Sequence, residues 1–322
     1  MVLLAAYNGA EFLSDQIQSI QGQTISNWTL LVRDDGSEDN TSSVLEKLAA
    51  KDKRIRCIHD THGCLGAARN FGELMRIAHA EGADLICFSD QDDVWVPDKI
   101  VRQLHCLQEM ERQYGVSMPL LCYSDLEVVD ENLNQVHPSL MRYQGQSHES
   151  RDPIYVLLTQ NFITGCTVLI NRSLLELAVP IPEEAIMHDW WLALCAAACG
   201  RIGYIDQPIV RYRQHATNHL GVVRVTRLAN LLAADSRKRL LRGQHYMLGA
   251  IRQAALLSER ITARKLGCSG DVRALLDGFA SCEGQGRVRR LWTVYRLRLR
   301  RQGILRKLIL FLRLLIMRPR TT

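Results

Sequence analysis

The first 95 residues alternate between short strand-like runs and longer segments in which apolar side chains recur every three or four positions. The strand-like runs are Leu3–Ala6, Trp28–Val32, Arg54–Ile58 and Asp84–Phe88. Their length suits buried strands, and the segments between them, such as Ala67–His79, have helical periodicity. Strands that alternate with helices of this length predict an α/β fold with a mostly parallel sheet and helices on its faces.

Polar residues follow three of these four predicted strands. They are Tyr7-Asn8, Asp34-Asp35 and the run Ser89-Asp90-Gln91-Asp92-Asp93. The carboxyl ends of parallel strands meet at one edge of a sheet, which is where ligands bind in folds of this class. We therefore expect the three clusters to lie together at one edge and to form a binding site.

The run from Asp90 to Asp93 places three carboxylates directly after a predicted buried strand. Like charges this close repel one another, so a folded protein tolerates them where a cation or strong donors offset the charge. A hard divalent ion with a phosphate ligand meets this requirement. The alternative is a solvated acidic turn before a helix that begins near Pro97. Because no glycine-rich phosphate loop follows these strands, phosphates would be held by metal and side chains.

Strand and helix patterns continue to about Val222, and beyond it only helical patterns remain. We expect helices at Pro97–Met110, Met187–Ala198, Leu228–Ser258 and Val272–Phe279, strands at Pro119–Tyr123, Phe162–Ile170 and Ile202–Val210, and a polar loop at Leu140–Asp152. The ten cysteines include no Cys-x-x-Cys pair, which favours reduced core residues in a cytosolic protein over a zinc site. The N-terminal apolar run lacks a basic segment, so we expect a strand there and not a signal peptide.

Several motifs occur together in a specific order. They are Tyr7-Asn8-Gly9, Asp34-Asp35-Gly36-Ser37, Arg69-Asn70, Ser89-Asp90-Gln91-Asp92-Asp93-Val94-Trp95, His188-Asp189-Trp190-Trp191 and Arg213-Gln214-His215-Ala216-Thr217-Asn218. With them the sequence resembles the family 2 glycosyltransferases of the GT-A fold, and in particular the bacterial rhamnosyltransferase branch. The resemblance implies a Rossmann-like catalytic domain over residues 1–222, with a nucleotide-sugar-binding half (1–95) and an acceptor half (96–222). A helical, basic extension would follow over residues 223–322.

The resemblance also assigns residues to a nucleotide-sugar pocket. Tyr7 would stack on a pyrimidine, and Asp35 would accept a hydrogen bond from the pyrimidine N3–H. Ala5 would line the same pocket, and Arg69 and Gln91 would lie near the base or the diphosphate. From the residues alone, Tyr7 could instead be a half-buried aromatic at a strand end, and Arg69 a plain cation on a helix surface.

A metal and a general base complete the implied chemistry. By resemblance Asp92 binds Mg²⁺ or Mn²⁺, Asp90 reaches the ribose or the metal, and His215 contributes a metal or phosphate contact. Asp189 would take the proton from the acceptor hydroxyl in an inverting transfer.

Each of these assignments has a structural alternative. Asp93 could cap the following helix, Asp189 could be the N-cap of the helix at Trp190–Ala198, and a lone histidine such as His215 is often structural. The family more often has Glu before the catalytic Asp, so the role of His188 stays open. Trp190 and Trp191 could bind the acceptor by stacking on a sugar, or could pack between helix and sheet.

The C-terminal segment points to a different partner. The net charge is +6, and from Gly286 onward every charged side chain is Arg or Lys. The longest apolar run, Leu308–Met317, falls short of the roughly 20 residues that span a bilayer. We therefore expect basic amphipathic helices on an anionic membrane surface, with a helix packed on the catalytic domain as the alternative. No nucleic-acid-binding motif accompanies the charge.

Taken together, the resemblance implies rhamnosyl transfer from dTDP-rhamnose to a glycan or lipid-linked glycan, as in O-antigen or capsule synthesis. The protein would be cytoplasmic and peripherally associated with the inner face of the cytoplasmic membrane. Two alternatives are the same machinery with a UDP-hexose donor and a catalytically silent protein that binds a nucleotide or glycan. The presence of both Asp92 and Asp189 favours catalysis.

Overall fold

The computed structural model describes residues 1–215 and 236–317. Three sequence-based expectations lie outside these residues. They are the Ala216-Thr217-Asn218 end of one motif, the domain boundary after residue 222 and the first part of the helix predicted from Leu228.

The N-terminal part of the chain forms the predicted parallel arrangement. Its elements are β1 (Val2–Ala6), α1 (Leu13–Gln21), β2 (Leu30–Asp34), α2 (Thr41–Lys51), β3 (Ile55–Ile58), α3 (Ala67–Ala80) and β4 (Leu85–Ser89). The four strands lie in the order β3-β2-β1-β4, and each neighbouring pair is parallel. Successive β1 side chains enter opposite faces, since Leu3 joins a core under α3 and Leu4 a core under α1. Both faces of the sheet are therefore covered.

The second half of the sheet is mixed in direction. Its elements are β5 (Val94–Trp95), α4 (Lys99–Tyr114), β6 (Leu120–Val129), β7 (Gln135–His137), α5 (Leu140–Gln144), α6 (Pro153–Leu157), β8 (Leu169–Asn171), α7 (Arg172–Ala178), α8 (His188–Cys199) and β9 (Arg201–Arg213). The order continues β4-β8-β6-β9-β5, and β7 pairs with β6. β6 and β9 are parallel, whereas β8 runs antiparallel to β4 and β6, and β5 runs antiparallel to β9. The described strands thus form one nine-stranded α/β sheet.

Three segments differ from the sequence-based expectation. The strand predicted at Phe162–Ile170 is mostly irregular, with a 3-10 turn at Gly165–Thr167 before β8, and the Gly165 N–H donates to the Asp189 side chain. The predicted polar loop contains α5, whose N-terminus is capped by the Ser139 side chain. The short strands expected after Ile202 are one 13-residue strand, β9.

In the described residues four α-helices follow the sheet, and the first of them packs against α8. They are α9 (Ser236–Ala263), α10 (Gly270–Ala280), α11 (Arg287–Arg296) and α12 (Ile304–Ile316). Apolar residues from them, among them Met247, Leu276 and Leu310, join the core that contains Trp191 of α8. The alternative of helices packed on the catalytic domain is therefore observed. In these described ranges, no helix is both long enough and apolar enough to cross a bilayer.

Candidate functional site

The strand register brings the three polar clusters together. β1 pairs Ala6 with Asp34 of β2 and Leu4 with Ser89 of β4. Tyr7, Asp35 and Asp90 each come directly after these strands, so they lie at the same edge of the sheet. The expectation of one shared edge is confirmed.

Gln91 ties the end of β1 to the acidic run. The Tyr7 backbone N–H donates to Gln91 Oε1 at 2.7 Å, and Gln91 Nε2 donates to the Tyr7 carbonyl at 2.9 Å. A Cβ atom at Gly9 would lie 2.2 Å from Gln91 Oε1, so a larger residue there would displace the Gln91 amide from these hydrogen bonds. Tyr7 is 48% exposed, so a ligand can reach it, and both its stacking role and the strand-end alternative stay open.

Asp35 is buried, and its carboxylate is used within the protein. It accepts hydrogen bonds from Arg33 Nη1 at 2.6 Å and from the backbone N–H groups of Leu65 and Gly66 at 2.8 and 2.7 Å. These bonds fasten the segment before α3 to the end of β2. Its role in recognising a base stays a prediction.

Ala5 and Arg69 lie on the elements that flank Asp35. Ala5 is half-buried in β1, opposite Arg33 of β2. Arg69 is exposed in the first turn of α3. This exposure agrees with a surface cation and equally leaves the guanidinium accessible to an anionic ligand.

The end of β9 meets the acidic run. His215 Nε2 lies 2.9 Å from Asp92 Oδ2, and the His215 ring packs on Phe12 at 4.6 Å between centroids. The Arg213 backbone N–H donates to Asp93 Oδ1 at 3.3 Å, and Arg213 Nε donates to the Asp92 carbonyl at 3.1 Å. The antiparallel pairing of β5 with β9 produces these contacts. The buried Arg213 thus holds the acidic run in place through these hydrogen bonds.

Asp93 does not cap a helix, so that alternative is wrong. α4 begins at Lys99 with Asp98 at its N-cap position, whereas Asp93 is fully buried. Within the described residues its Oδ2 atom has no hydrogen-bond partner. Burial, together with repulsion from Asp92 and Asp90, raises the pKa of Asp93 well above its usual value. Burial of a carboxylate oxygen without a hydrogen-bond partner is unfavourable, and a bound cation would offset this cost.

The acidic cluster could hold a metal ion. Ligand atoms of Asp90, Asp93 and Cys166 all lie within 4.8 Å of one another. Burial raises the pKa of the Cys166 thiol well above its ordinary value, and a protonated thiol is not a ligand for Mg²⁺ or Mn²⁺. Carboxylate oxygens suit such an ion, so Asp90 and Asp93 are the usable donors of this group. Asp92 and His215 are not part of it, although His215 Nε2 lies 2.9 Å from Asp92 Oδ2, and a site formed by Asp90, Asp92 and His215 stays a prediction.

Asp189 lies in the first turn of α8, close to the acidic run. Its Oδ1 accepts from Asn161 Nδ2 at 3.1 Å, and its Oδ2 accepts from the Gly165 N–H at 2.9 Å. Because α8 begins at His188 with Met187 at the N-cap position, the N-cap alternative for Asp189 is wrong. Burial raises the pKa of Asp189 to about 7, although its hydrogen bonds act in the opposite direction.

Charge repulsion links Asp189 to Asp90. Burial raises the pKa of Asp90 to about 7, and repulsion from Asp92 and then Asp189 adds to this effect. The two carboxylates therefore belong to one electrostatic environment, although Asp90 follows β4 and Asp189 opens α8.

His188 is a neutral core residue. Only 2% of it is exposed, and its ring lies 3.9 Å from that of Phe71 between centroids. Within the described residues neither ring nitrogen has a hydrogen-bond partner. Burial lowers the pKa of His188 to about 3, so the imidazole carries no charge at neutral pH.

Trp190 and Trp191 are interior residues, so the prediction that they stack on an acceptor sugar is wrong. Trp190 is 6% exposed and Trp191 fully buried. Their indole N–H groups donate to the carbonyls of Leu157 at 2.6 Å and Ala178 at 3.0 Å. The packing alternative holds for both, because α8 is buried on nearly all sides.

The sequence did not reveal three residues near this site. Asn161 and Gly165 donate hydrogen bonds to Asp189, but Gly165 lies in the stretch predicted as a plain strand, Phe162–Ile170, and Asn161 directly precedes it. Lys99 is fully buried behind the acidic run, where its Nζ lies 3.6 Å from the centroid of the Trp95 ring and donates to Gln103. The burial of Lys99 could not be predicted from the sequence, because a lysine just after Pro97-Asp98 is equally compatible with an exposed residue at the start of a helix.

A second surface lies on the two last helices. α11 and α12 expose large apolar side chains at helical spacing, namely Val288, Trp292, Tyr295, Ile304, Leu308, Phe311, Leu312 and Leu315. Exposed basic residues accompany them: Arg287, Arg289, Arg296, Arg298 and Lys307. Arg290, by contrast, is buried and donates to the Leu314 and Met317 carbonyls at the end of α12. Part of the basic composition is therefore structural.

Known structures share this fold. The structure of Staphylococcus aureus TarS 1-349 in complex with UDP-GlcNAc has a TM-score of 0.52 at 14% identity, covering 92% of this chain and 89% of that one. The mannosyltransferase PcManGT from Pyrobaculum calidifontis, in complex with GDP-Man and Mn²⁺, has a TM-score of 0.51 at 16% identity, covering 92% and 72%. In a longer TarS structure this chain covers 55% of the chain. These similarities show a GT-A glycosyltransferase fold.

Sequence comparison identifies the family. The dTDP-rhamnosyl transferase RfbG of Shigella flexneri is 30% identical over 265 residues, covering 72% of this chain and 86% of that protein. A glycosyltransferase of Nostoc sp. is 30% identical over 233 residues, covering 70% and 68%. The family model for glycosyl transferase family 2 matches residues 1–177. The chain is therefore a glycosyltransferase that belongs to glycosyl transferase family 2.

Proposed function

We propose that this glycosyltransferase is metal-dependent and inverting, and that it transfers rhamnose from dTDP-rhamnose to a bacterial surface-polysaccharide intermediate. The donor is proposed from the similarity to RfbG, which is named a dTDP-rhamnosyl transferase. The observation that carries the catalytic part is that Asp189 Oδ2 accepts from the Gly165 N–H, one residue before Cys166, whose sulfur lies within 4.8 Å of carboxylate oxygens of Asp90 and Asp93. A base and a diphosphate-binding acidic run would then face the same site.

The nucleotide would bind at the edge formed by β1 and β2. The exposed ring of Tyr7 can stack on thymine, with Ala5 below it and Arg69 on the adjacent helix. Gln91 would hold the Tyr7 backbone in place through its two hydrogen bonds. Asp35 would fix the segment at Leu65 and Gly66 beside the base.

Asp92, Asp90 and His215 would hold Mg²⁺ or Mn²⁺. When bound, such an ion supplies Lewis-acid stabilisation of the charge on the leaving diphosphate. The contact between His215 and Asp92 keeps the two donors together, and Arg213 braces the backbone of the acidic run. The family relationship to the GT-A fold supports this assignment, whereas the acidic cluster by itself does not identify the ion.

Asp189 would act as the general base. Its carboxylate takes the proton of the acceptor hydroxyl while that oxygen forms a bond to the anomeric carbon of the donor. The bond from this carbon to the diphosphate breaks on the opposite face, and its electron pair leaves with the diphosphate. The configuration inverts in one step without a covalent sugar intermediate. A pKa of about 7 suits this role, because a base works best with a pKa near the working pH.

The exposed face of α11 and α12 supports membrane association. Trp292 and Tyr295 are side chains that favour a membrane interface, and the exposed basic residues would attract anionic lipid headgroups. The opposite faces of both helices are buried through Val294 and Leu314. The helices would thus join the catalytic half to the inner face of the cytoplasmic membrane, where a lipid-linked glycan acceptor is available.

A donor screen tests the proposed function. Release of the nucleoside diphosphate is measured from dTDP-rhamnose, other dTDP-sugars, UDP-hexoses and GDP-mannose, with Mn²⁺ or with a chelator. We expect Mn²⁺-dependent release from dTDP-rhamnose. Turnover of a UDP-hexose alone would contradict dTDP-rhamnose as the donor but not the proposed mechanism. Binding of a donor without release of the nucleoside diphosphate would indicate a catalytically silent protein.

A further inference from the structure

The turn between α11 and α12 is bonded to the segment that leads to Asp189. Thr159 Oγ1 donates to the Arg300 carbonyl at 2.8 Å, and the Gln302 N–H donates to Gln160 Oε1 at 3.1 Å. The Arg300 N–H also donates to the carbonyl of Tyr155, at 3.1 Å. Since Thr159 is fully buried and Gln160 is 8% exposed, these bonds lie in the interior.

The next residue, Asn161, contacts the proposed base. Its Nδ2 donates to Asp189 Oδ1 at 3.1 Å and to the Ile163 carbonyl at 2.9 Å, while its Oδ1 accepts from the Ile163 N–H at 3.0 Å. The amide is therefore held at both ends and has one orientation. The Gly165 N–H donates to the other oxygen of Asp189. Residues 161–165 therefore fix the orientation of the Asp189 carboxylate.

The same turn is also fixed from its other side. Gln302 Nε2 donates to the Ser147 carbonyl at 2.6 Å, and the Ser147 N–H donates to Gln302 Oε1 at 3.0 Å. Arg300 forms an ion pair with Glu149 at 3.0 Å. Contacts on both sides make the turn a rigid support.

We propose that the α11–α12 turn is part of the catalytic machinery, and that it positions the base through Thr159, Gln160 and the positioning residue Asn161. This inference rests on the proposed function only in taking Asp189 as the base. The C-terminal helices would then serve catalysis as well as membrane binding. The turn between them bonds to Thr159 and Gln160, and the next residue, Asn161, bonds to Asp189. Catalysis is sensitive to such support, since a misplacement of about 1 Å can lower a rate about 100-fold.

Two variants and one matched control test the inference. Asn161→Ala removes the donor to Asp189. The double variant Thr159→Val/Gln160→Ala removes both side-chain hydrogen bonds to the turn without altering any residue that contacts Asp189. Glu81→Gln is the control, since it breaks a partly exposed ion pair, with Arg56, that contacts neither the turn nor Asp189. For each protein, kcat and donor KM are measured with the donor that the unmodified protein turns over, and dTDP affinity with Mn²⁺ is measured by calorimetry.

We expect kcat to fall about tenfold or more in Asn161→Ala and in the double variant, with donor KM and dTDP affinity unchanged. The control is expected to keep kcat within about twofold, in line with the small contribution of surface ion pairs. A kcat equal to that of the unmodified protein in Asn161→Ala would overturn the inference, and so would a parallel loss of dTDP affinity in both variants. A different result would contradict the proposed function: full transfer by Asp189→Asn would show that Asp189 is not the base.

Discussion

The Nε2 atom of His215 lies 2.9 Å from Oδ2 of Asp92, although 123 residues separate them in the chain. The contact exists because β9 runs antiparallel to β5, which follows the acidic run directly. It places an imidazole beside the carboxylate proposed as the metal ligand.

Loss of Asp92 and loss of His215 are both expected to weaken metal binding, but to different degrees. Asp92→Ala should abolish the Mn²⁺-dependent part of dTDP binding, because it removes the carboxylate proposed as the principal oxygen ligand. His215→Ala should weaken Mn²⁺ binding by about 10-fold to 100-fold, the range found when a partner of a metal ligand is lost. Calorimetric titration of dTDP with and without Mn²⁺ measures both. His105→Ala, on the exposed face of α4, is the control, and equal affinities in His215→Ala and the control would contradict the metal-site assignment.

The rate is expected to depend on pH through Asp189. Burial raises the pKa of this carboxyl to about 7, and only the deprotonated form accepts a proton. Below that pKa kcat should therefore fall by about tenfold for each pH unit, and above it the acid limb should level off. Initial rates at saturating donor and Mn²⁺ between pH 5 and 9 provide the test. A profile that stays flat down to pH 5 would argue against this base.

The same raised pKa has a consequence for stability. A carboxyl whose pKa is raised by folding stabilises the folded state below its unfolded value of 3.8, and this contribution is lost as the pH rises to about 7. Asp189→Asn has no such loss, so from pH 5 to pH 8 the free energy of unfolding of the unmodified protein should fall by roughly 3 kcal/mol relative to the variant. Urea unfolding at the two pH values measures this difference. Parallel pH dependence in both proteins would contradict it.

Tyr7 and Trp191 should behave in opposite ways. Trp191→Ala leaves a cavity in the core and is expected to lower the free energy of unfolding by about 3–5 kcal/mol. Tyr7→Ala, at an exposed position, should change stability by less than about 0.5 kcal/mol. It should instead weaken dTDP binding by about 0.5–1.5 kcal/mol through the loss of stacking. Chemical unfolding and calorimetry separate the two effects, and unchanged dTDP affinity in Tyr7→Ala would remove the stacking role.

The membrane proposal is best tested on side chains that the fold does not need. Trp292→Ser/Leu308→Ser alters two exposed residues, 57% and 61% accessible, and leaves the buried faces of α11 and α12 intact. We expect binding to phosphatidylglycerol vesicles to fall by at least about tenfold, since each side chain contributes more than about 1 kcal/mol when buried in lipid. Val101→Ser/Val116→Ser, exposed elsewhere, is the matched control. Undiminished cosedimentation of the first variant would contradict the proposal.

The parts of the fold that depend on local pattern could be predicted from the sequence. β1 to β4 and α3 lie within about two residues of the expected positions, because periodicity records which side chains face the core. The short β8 and the long β9 could not be predicted, since their lengths depend on distant partners. In the site, the shared edge of Tyr7, Asp35 and Asp90 followed from strand order alone.

Other features of the site depend on packing that no local pattern encodes. The sequence of α8 is equally compatible with exposed and buried tryptophans, and only the surrounding helices bury Trp190 and Trp191. The same holds for the neutral His188 and for Asn161, whose contact with Asp189 joins residues that are 28 positions apart in the chain. The composition of the C-terminal helices likewise cannot distinguish the buried Arg290 from the exposed basic residues.

The most direct test of the account is transfer by Asp189→Asn under single-turnover conditions, with dTDP affinity measured on the same preparation. Because Asp189 is proposed to take the proton of the acceptor hydroxyl and not to bind the donor, dTDP with Mn²⁺ should bind as in the unmodified protein. Transfer should fall by about 100-fold to 10,000-fold, the usual contribution of a general base. Transfer at the unmodified rate, with dTDP binding intact, would contradict the central claim that this carboxylate is the base.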